Sequence, residues 1–394
     1  MIIETYLTAM PNAKILVLVI ANFPVDQLLL RLDHLLKGNG RNNIRTQITR
    51  YGRGVSGDIC RHYPHLLPGT KDTFMLSNVA WGELGDPDFE LGSFDPALKS
   101  TRLYAMTVAT ATQKIEQLRA LGPFDLVLFE EASQAALSQV LIFAPLAVSM
   151  ICAGDPAQLA PVAGCRCSEF RRWMATSAFD CMPQLSSPAV WMLTEQRRMA
   201  PSICSVVSAI GYQNKLQTSP ECLNDNAWKN YRKQPFGPYH PDQAVVVHPV
   251  FQALLRPDKQ LIRYESAEAI LLLLQQDAGR NFAQKHIFVV TPFRAQARYL
   301  RRLLNKHSFH EVRVSTVHKT QGKEARVVIF DPVDGTHSFL KSKEAVKLLT
   351  VAFSRAECKL VVMASANDLE NPILRIVHDL AAETSAESMR LELV

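Results

Sequence analysis

The 394-residue sequence has no repeated C-x-x-C pair, no secretory leader, no low-complexity stretch and no G-x-x-x-x-G-K-[ST] loop. Its eight cysteines, Cys60, Cys152, Cys165, Cys167, Cys181, Cys204, Cys222 and Cys358, are scattered. That argues against a disulfide framework and for a reduced intracellular setting, cytoplasmic or nuclear. The most apolar stretch, Leu137 to Ala153, is interrupted by Pro145 and Ser149 and falls short of the roughly 20 residues that a bilayer span needs. No membrane partner is expected. No period of roughly 20–50 residues recurs, which excludes a solenoid.

What the chain does have is ordinary globular material, with 47% apolar and 20% charged residues. At roughly 150 residues per domain its length implies two or three domains, each able to bury a core. Lys plus Arg number 43 against 37 Asp plus Glu, a net charge of +6. The excess is spread along the chain, so a polyanion such as nucleic acid is a compatible partner without being required.

Short β-branched runs alternate with amphipathic segments, the pattern of parallel strands joined by crossover helices. Strands are predicted at Lys14–Ile20, Leu103–Ala109, Asp125–Phe129, Val148–Ala153, Val190–Leu193, Ala244–His248, His286–Thr291, Val312–Val317, Arg326–Phe330 and Lys359–Ala364. Helices are predicted at Val25–Leu36, Ser133–Leu146, Pro201–Tyr212, Ser266–Leu274, Arg294–Leu304 and Leu369–Ala382. Gly38 to Ser100 and Thr218 to Tyr239 lack regular spacing and read as surface insertions. A Ser/Pro turn near Gln184–Pro188 marks the break between two strand-bearing halves.

Two runs carry chemistry. Phe124 to Phe129 reads as a buried strand and ends in Glu130-Glu131-Ala132-Ser133-Gln134, placing adjacent carboxylates at the carboxyl edge of a parallel sheet, where ligands of open α/β folds bind. One acid can face a Mg²⁺ ion through its water shell while the other orients and deprotonates an attacking water; a solvated acid pair at a strand end is the plainer reading. The next strand runs into Gly154-Asp155-Pro156-Ala157-Gln158, turn chemistry that delivers a neutral amide able to hold a water or a phosphate oxygen.

In order, these runs resemble boxes of the superfamily 1 helicases that include the nonsense-mediated-decay helicase and senataxin. Glu130–Gln134 is similar to D-E-A-S-Q and Gly154–Val162 to G-D-P-x-Q-L-x-P-V. Leu193-Thr194-Glu195-Gln196-Arg197-Arg198-Met199-Ala200-Pro201 resembles L-x-x-Q-Y-R-M-x-P, Thr291–Gln296 resembles T-P-Y-x-x-Q, Thr316–Glu324 resembles T-V-x-x-x-Q-G-x-E, and Val351–Ala356 resembles V-A-x-S/T-R-A. Asn22–Leu28 is similar to the S-N-x-A-V-D-x-L box. The resemblance implies an α/β chain of two RecA-like parallel-sheet lobes in tandem, of the P-loop NTPase type and with the first lobe truncated at its N-terminus. The lobes would span 1–187, with the insertion at about 38–100, and 188–370, followed by a C-terminal helix at 371–394.

The function implied is that of an ATP-dependent helicase or translocase on single-stranded DNA or RNA, whole or in part. Glu131 would then be the general base, Glu130 the acid that holds Mg²⁺ through water, and Gln158 the γ-phosphate sensor. Arg198 and Arg355 would be arginine fingers, and Gly322 and Glu324 would contact the nucleotide. Asn22, Thr110, Pro292 and Thr316 would line the nucleic acid. The departures are Glu130 for Asp, Arg197 and Phe293 for Tyr, and the missing phosphate loop, whose cradle of charge-assisted bonds is worth about 1.5–3 kcal/mol each. A separate segment supplying that loop is one consequence. A non-enzymatic single-strand-binding module with a defective nucleotide site is the alternative. A metal module on Cys60, His62, His65, Cys165 and Cys167 fits no standard ligand spacing.

Overall fold

The computed structural model describes residues 2–67, 101–161, 164, 167–181, 189–251, 261–277, 281–320 and 323–392. Their contacts divide the chain into two units, Met1–Pro156 with Ala160–Gln184, and Ala157–Leu159 with Leu185–Val394.

In the first unit, strands β1 (Ile15–Val19), β2 (Ile48–Arg50), β3 (Leu103–Thr107), β4 (Phe124–Glu130) and β5 (Ala147–Cys152) form an all-parallel sheet in the order β2-β3-β1-β4-β5. Both faces are covered, as parallel sheets require. In β1, Leu16 and Leu18 enter one core cluster while Ile15, Val17 and Val19 enter the other, the two-residue period of a strand. The helix Asn22–Gly38 sends Val25, Leu29, Leu32 and Leu36 into the second cluster at helical spacing, each such side chain contributing about 1.5–3 kcal/mol of burial. At the far edge, β5 has no neighbouring strand on its outer side among the described residues, and Val148 is 70% exposed.

Two expectations are corrected here. The stretch beginning at Gly38 is not surface throughout: Ile48 and Thr49 are fully buried and Arg50 is 1% exposed. A three-residue strand is too short to show a period, and a buried arginine hides it further. Asp26 makes that burial tolerable by accepting from Arg50 Nε at 2.9 Å. The expected insertion's residues 68–100 lie outside the described residues. Ser133–Leu146 is not one helix but a short helix, Leu137–Leu141, between the 3-10 turns Ala132–Gln134 and Ala144–Leu146. Pro145 cannot donate to a continuing helix.

In the second unit, a two-residue pair, β6 (Glu195–Gln196) and β7 (Gln217–Thr218), precedes the main sheet. That sheet comprises β8 (Val245–Pro249), β9 (Ile287–Thr291), β10 (Arg313–Thr316), β11 (Ala325–Phe330) and β12 (Ala356–Ala364), all parallel and ordered β10-β9-β11-β12-β8. Val328 and Phe330 pack with the helices Pro201–Gly211, Lys343–Phe353 and Pro372–Glu392, while Val327 and Ile329 pack with Tyr264–Asp277 and Arg294–Lys306.

Val190–Leu193, expected as a strand, is loop, with Trp191 and Leu193 each 88% exposed. Apolar content alone did not give it a partner strand. The helix Lys343–Phe353 went unread, although Ala345, Leu348, Leu349 and Ala352 are buried at i, i+3, i+4 and i+7. Part of the supposed insertion Thr218–Tyr239 is helical, over Pro220–Asn224 and Asn226–Arg232. Asp225 caps the latter by accepting from the N–H groups of Ala227 and Trp228 at 2.8 and 3.2 Å.

Lys359 in β12 is fully buried and donates to the carbonyls of His240 and Gln243 at 2.7 and 2.8 Å. Burial pulls its pKa from 10.5 down to about 8. Between those two values the unfolded chain binds the proton and the folded chain does not, so this lysine's contribution to stability rises with pH across that window. Urea titrations of the wild type and Lys359→Met at pH 7 and pH 10 are expected to show the wild type gaining on the variant by up to about 3 kcal/mol. A pH-independent difference would contradict the assignment.

Candidate nucleotide and nucleic-acid sites

The carboxyl edge of the first sheet is level across its centre, because Val19 pairs with both Thr107 and Glu130. Glu130 closes β4, and Glu131 leaves the strand in the left-handed region, with φ 56° and ψ 37°. For a non-glycine residue that conformation costs on the order of 1–3 kcal/mol and tends to be kept where a site needs it. The turn is fixed from behind: the Ala132 N–H donates to Ala153 O at 2.8 Å. A Cβ on Gly154 would stand 2.9 Å from the backbone nitrogens of both Ala132 and Ser133. Two boxes distant in sequence are thus in contact, and only glycine permits it.

Burial, and then the neighbouring charge of Glu131, raise the Glu130 pKa, which Arg31 only partly offsets. The carboxylate is short of positive charge, and Ser133 Oγ is buried without a hydrogen-bond partner among the described residues. A hydrated Mg²⁺ fits this donor set. Since the raised pKa means the folded state resists ionisation, the penalty is present above the unfolded carboxylate pKa and disappears as pH falls below it. Glu130→Gln is therefore expected to stabilise the protein at pH 7 by about 0.5–2 kcal/mol, read as a higher melting temperature. A lower one would refute the strain.

Beside the acids lie the two residues expected at the nucleic acid. Asn22 accepts from Arg50 Nη2 at 2.8 Å. Thr110 Oγ1 lies 3.0 Å from Thr107 Oγ1. Both meet the loop after β2: a Cβ on Gly52 would come within 2.6 Å of Thr110 Oγ1, and one on Gly54 within 2.4 Å of Asn22 Nδ2. Gly52 and Gly54 have φ of 100° and 69°, a conformation that glycine adopts freely. Asp26 anchors this loop by accepting from Arg50 Nε and from the Ser56 N–H at 2.7 Å. Sequence reasoning missed Arg50, Gly52 and Gly54. The G-x-G spacing was the available signal.

The second unit gathers a different set. Arg198 forms an ion pair with Glu324 and donates through Nη1 to Ser354 O at 3.3 Å. Gln196 Oε1 holds the turn by accepting from the Arg198 and Met199 N–H groups at 2.8 and 2.7 Å. Arg355 is 3% exposed and donates to Val351 O at 3.0 Å and Ser354 Oγ at 3.1 Å. Its carbonyl accepts from the Ala325 N–H at 2.9 Å. Arg198, Glu324 and Arg355, from three separate boxes, are therefore brought together.

At the carboxyl edge of this sheet Thr316 pairs with Thr291, so Pro292, the next residue, stands beside Thr316. Gly322 lies outside the described residues. Gln158 groups by its contacts with the second unit, as do Ala157 and Leu159, and Leu159 joins that unit's core. Of the residues weighed as metal ligands, Cys60 is buried, His62 faces Asp58 at 3.8 Å, His65 meets Asp33 at 2.8 Å, and Cys165 lies outside the described residues. Among the described residues no group of three such ligands converges.

A family model for an AAA domain matches residues 174–367. An uncharacterised ATP-dependent helicase of Methanocaldococcus jannaschii is 27% identical over 270 residues, covering 67% of this chain and 39% of the relative. The helicase SEN1 of Saccharomyces cerevisiae is 27% identical over 267 residues, covering 62% of this chain and 11% of the relative. The chain contains a superfamily 1 helicase domain of the senataxin-like group. This helicase domain thus spans well under half the length of those relatives. A solved structure of the PRRSV helicase matches 91% of this chain and 48% of that one at 13% identity, with a TM-score of 0.38. Among the described residues, no helix of the domain is long and apolar enough to cross a membrane.

Proposed function

We propose that this helicase domain hydrolyses ATP with Mg²⁺ and couples the reaction to movement along single-stranded DNA or RNA inside the cell. The observation that carries this reading is the gathering of Arg198, Glu324 and Arg355 from three boxes, the first of them more than a hundred residues from the other two. A guanidinium is permanently charged and planar, suited to the charge that develops on a transferring phosphoryl group. In this reading Arg198 and Arg355 supply that charge, Glu324 positions Arg198 and accepts from the nucleotide, and Gln158 senses the γ-phosphate with Gly322 alongside. Glu131 accepts the proton of the attacking water. Glu130 would hold Mg²⁺ through water, and the ion would supply countercharge to the phosphates.

The phosphate loop is not among these 394 residues, and the reading assigns it to a separate segment. The open apolar edge of β5 supports that assignment, because a further parallel strand there would end beside Gly154. Asn22, Thr110, Pro292 and Thr316, each at the carboxyl edge of its sheet, would face the nucleic-acid strand.

The missing loop also favours a second reading, a strand-binding module without turnover. Fluorescence anisotropy with labelled single-stranded DNA and RNA, with and without a non-hydrolysable ATP analogue and Mg²⁺, separates the two. An affinity that changes with the analogue supports the coupled enzyme. Salt-dependent binding indifferent to the analogue supports the module.

A further inference from the structure

We propose that the outer edge of the second sheet carries a phosphate-binding pocket separate from the nucleotide boxes. β10 is the outermost strand there, and along it lies a cavity of about 300 Å³ lined by Arg301, Asn305, His310, Arg313, Ser315 and Lys323, among others. That volume is at the lower end of small-molecule pockets, roughly 300–1,000 Å³, enough for a phosphate with its attached sugar. No carboxylate lines it, and among the described residues Arg301, Arg313 and Lys323 form no ion pair.

Cations near a surface usually mean a solvated face, but two of these, Arg301 on its helix and Arg313 in β10, are pinned. Arg301 Nη2 donates to Val314 O at 2.9 Å, and Arg313 Nη2 donates to Glu324 O at 2.8 Å. The Arg313 guanidinium also lies 4.9 Å from the centre of the Phe288 ring, and its Nε is buried with no partner among the described residues. Burial lowers the Arg313 pKa, and no counter-charge opposes that effect. Held in place, these donors lose little further freedom on binding an anion. Two guanidinium forks and an ammonium around one cavity suit the oxygens of a phosphate group. The pocket also backs onto the nucleotide boxes, because Arg313 holds the carbonyl of Glu324, whose carboxylate pairs with Arg198.

Two probes test this on the intact chain by isothermal titration at constant ionic strength: inorganic phosphate, and a single-stranded trinucleotide with or without a 5′-phosphate. Saturable phosphate binding is expected. Arg301→Gln and Lys323→Gln, at exposed side chains, should each weaken it by about tenfold, the scale of one charge-assisted bond, and the double variant should abolish it. Arg198→Ala should leave it unchanged. A preference for the 5′-phosphorylated strand would place a strand end in the pocket, and phosphate binding without that preference would place a free anion there; either supports the site. Circular dichroism confirms that each variant is folded. Absence of saturable binding by both probes, binding that survives in the folded double variant, or binding lost in Arg198→Ala would overturn the proposal.

Discussion

Arg263→Ala is expected to destabilise the second unit by about 3–5 kcal/mol, the cost of stranding buried charge. Arg263 is 1% exposed and bridges two carboxylates, pairing with Asp368 and, through Nη2 at 3.0 Å, with Asp331. Asp331 also accepts from Ser266 Oγ at 2.7 Å, Gln296 Nε2 at 2.6 Å and the Val333 N–H at 3.0 Å. Asp368 accepts from the Ser365 and Gly335 N–H groups at 2.8 and 2.6 Å. Burial works against the guanidinium, yet the two aspartates raise its pKa above the ordinary arginine value. Removing the cation leaves two carboxylates that the remaining donors cannot neutralise. Denaturant unfolding followed by hydrogen exchange in β9, β11 and β12 measures the loss; a change below about 1 kcal/mol, the worth of an exposed pair, would show that the network is not what holds these elements. The effect also bears on function. Gln296 sits in the T-P-F-x-x-Q run and is fully buried in this network, so it positions the helix Arg294–Lys306 that starts just after Pro292.

The second large effect is on turnover. Arg198→Ala, in the chain joined to a segment bearing a phosphate loop, is expected to lower ATP hydrolysis by about 10³–10⁵-fold, the range for an arginine that stabilises phosphoryl transfer. Arg198→Lys should recover little, because an ammonium lacks the planar fork. Single-strand affinity without nucleotide should not change, since Arg198 contacts Glu324 and the Ser354 carbonyl in the second unit, away from the Pro292 and Thr316 edge of the sheet. A fall of less than about tenfold would assign Arg198 to structure, where pairing Glu324 would be its whole role.

Much of this was legible in the sequence, and the exceptions share a cause. The long, apolar, two-side-buried strands such as β1, β4 and β12 carry their own signal, and the boxes near their ends were legible through their resemblance to those of a helicase family. β2 did not, because three residues ending in a charged side chain look like loop until Asp26 is seen to neutralise Arg50. Gly52 and Gly54 were hidden with it. Val190–Leu193 failed in the opposite sense, since an apolar run becomes a strand only where a neighbour offers its hydrogen bonds. Within the sites, residue types gave the chemistry, but not that Glu131 is left-handed, that Gly154 must lack a Cβ, or that Arg198 is already paired. Those depend on chain crossings that spacing cannot encode.

The most direct test of the central claim, that this domain hydrolyses a nucleoside triphosphate, is Mg²⁺-dependent ATP hydrolysis with and without single-stranded DNA or RNA. The chain alone would be compared with the chain joined to a phosphate-loop segment. The account predicts strand-stimulated hydrolysis by the joined chain, lost in Glu131→Gln, and little by the chain alone. Equal hydrolysis with and without the loop, or a joined chain that is folded and inert, would contradict it.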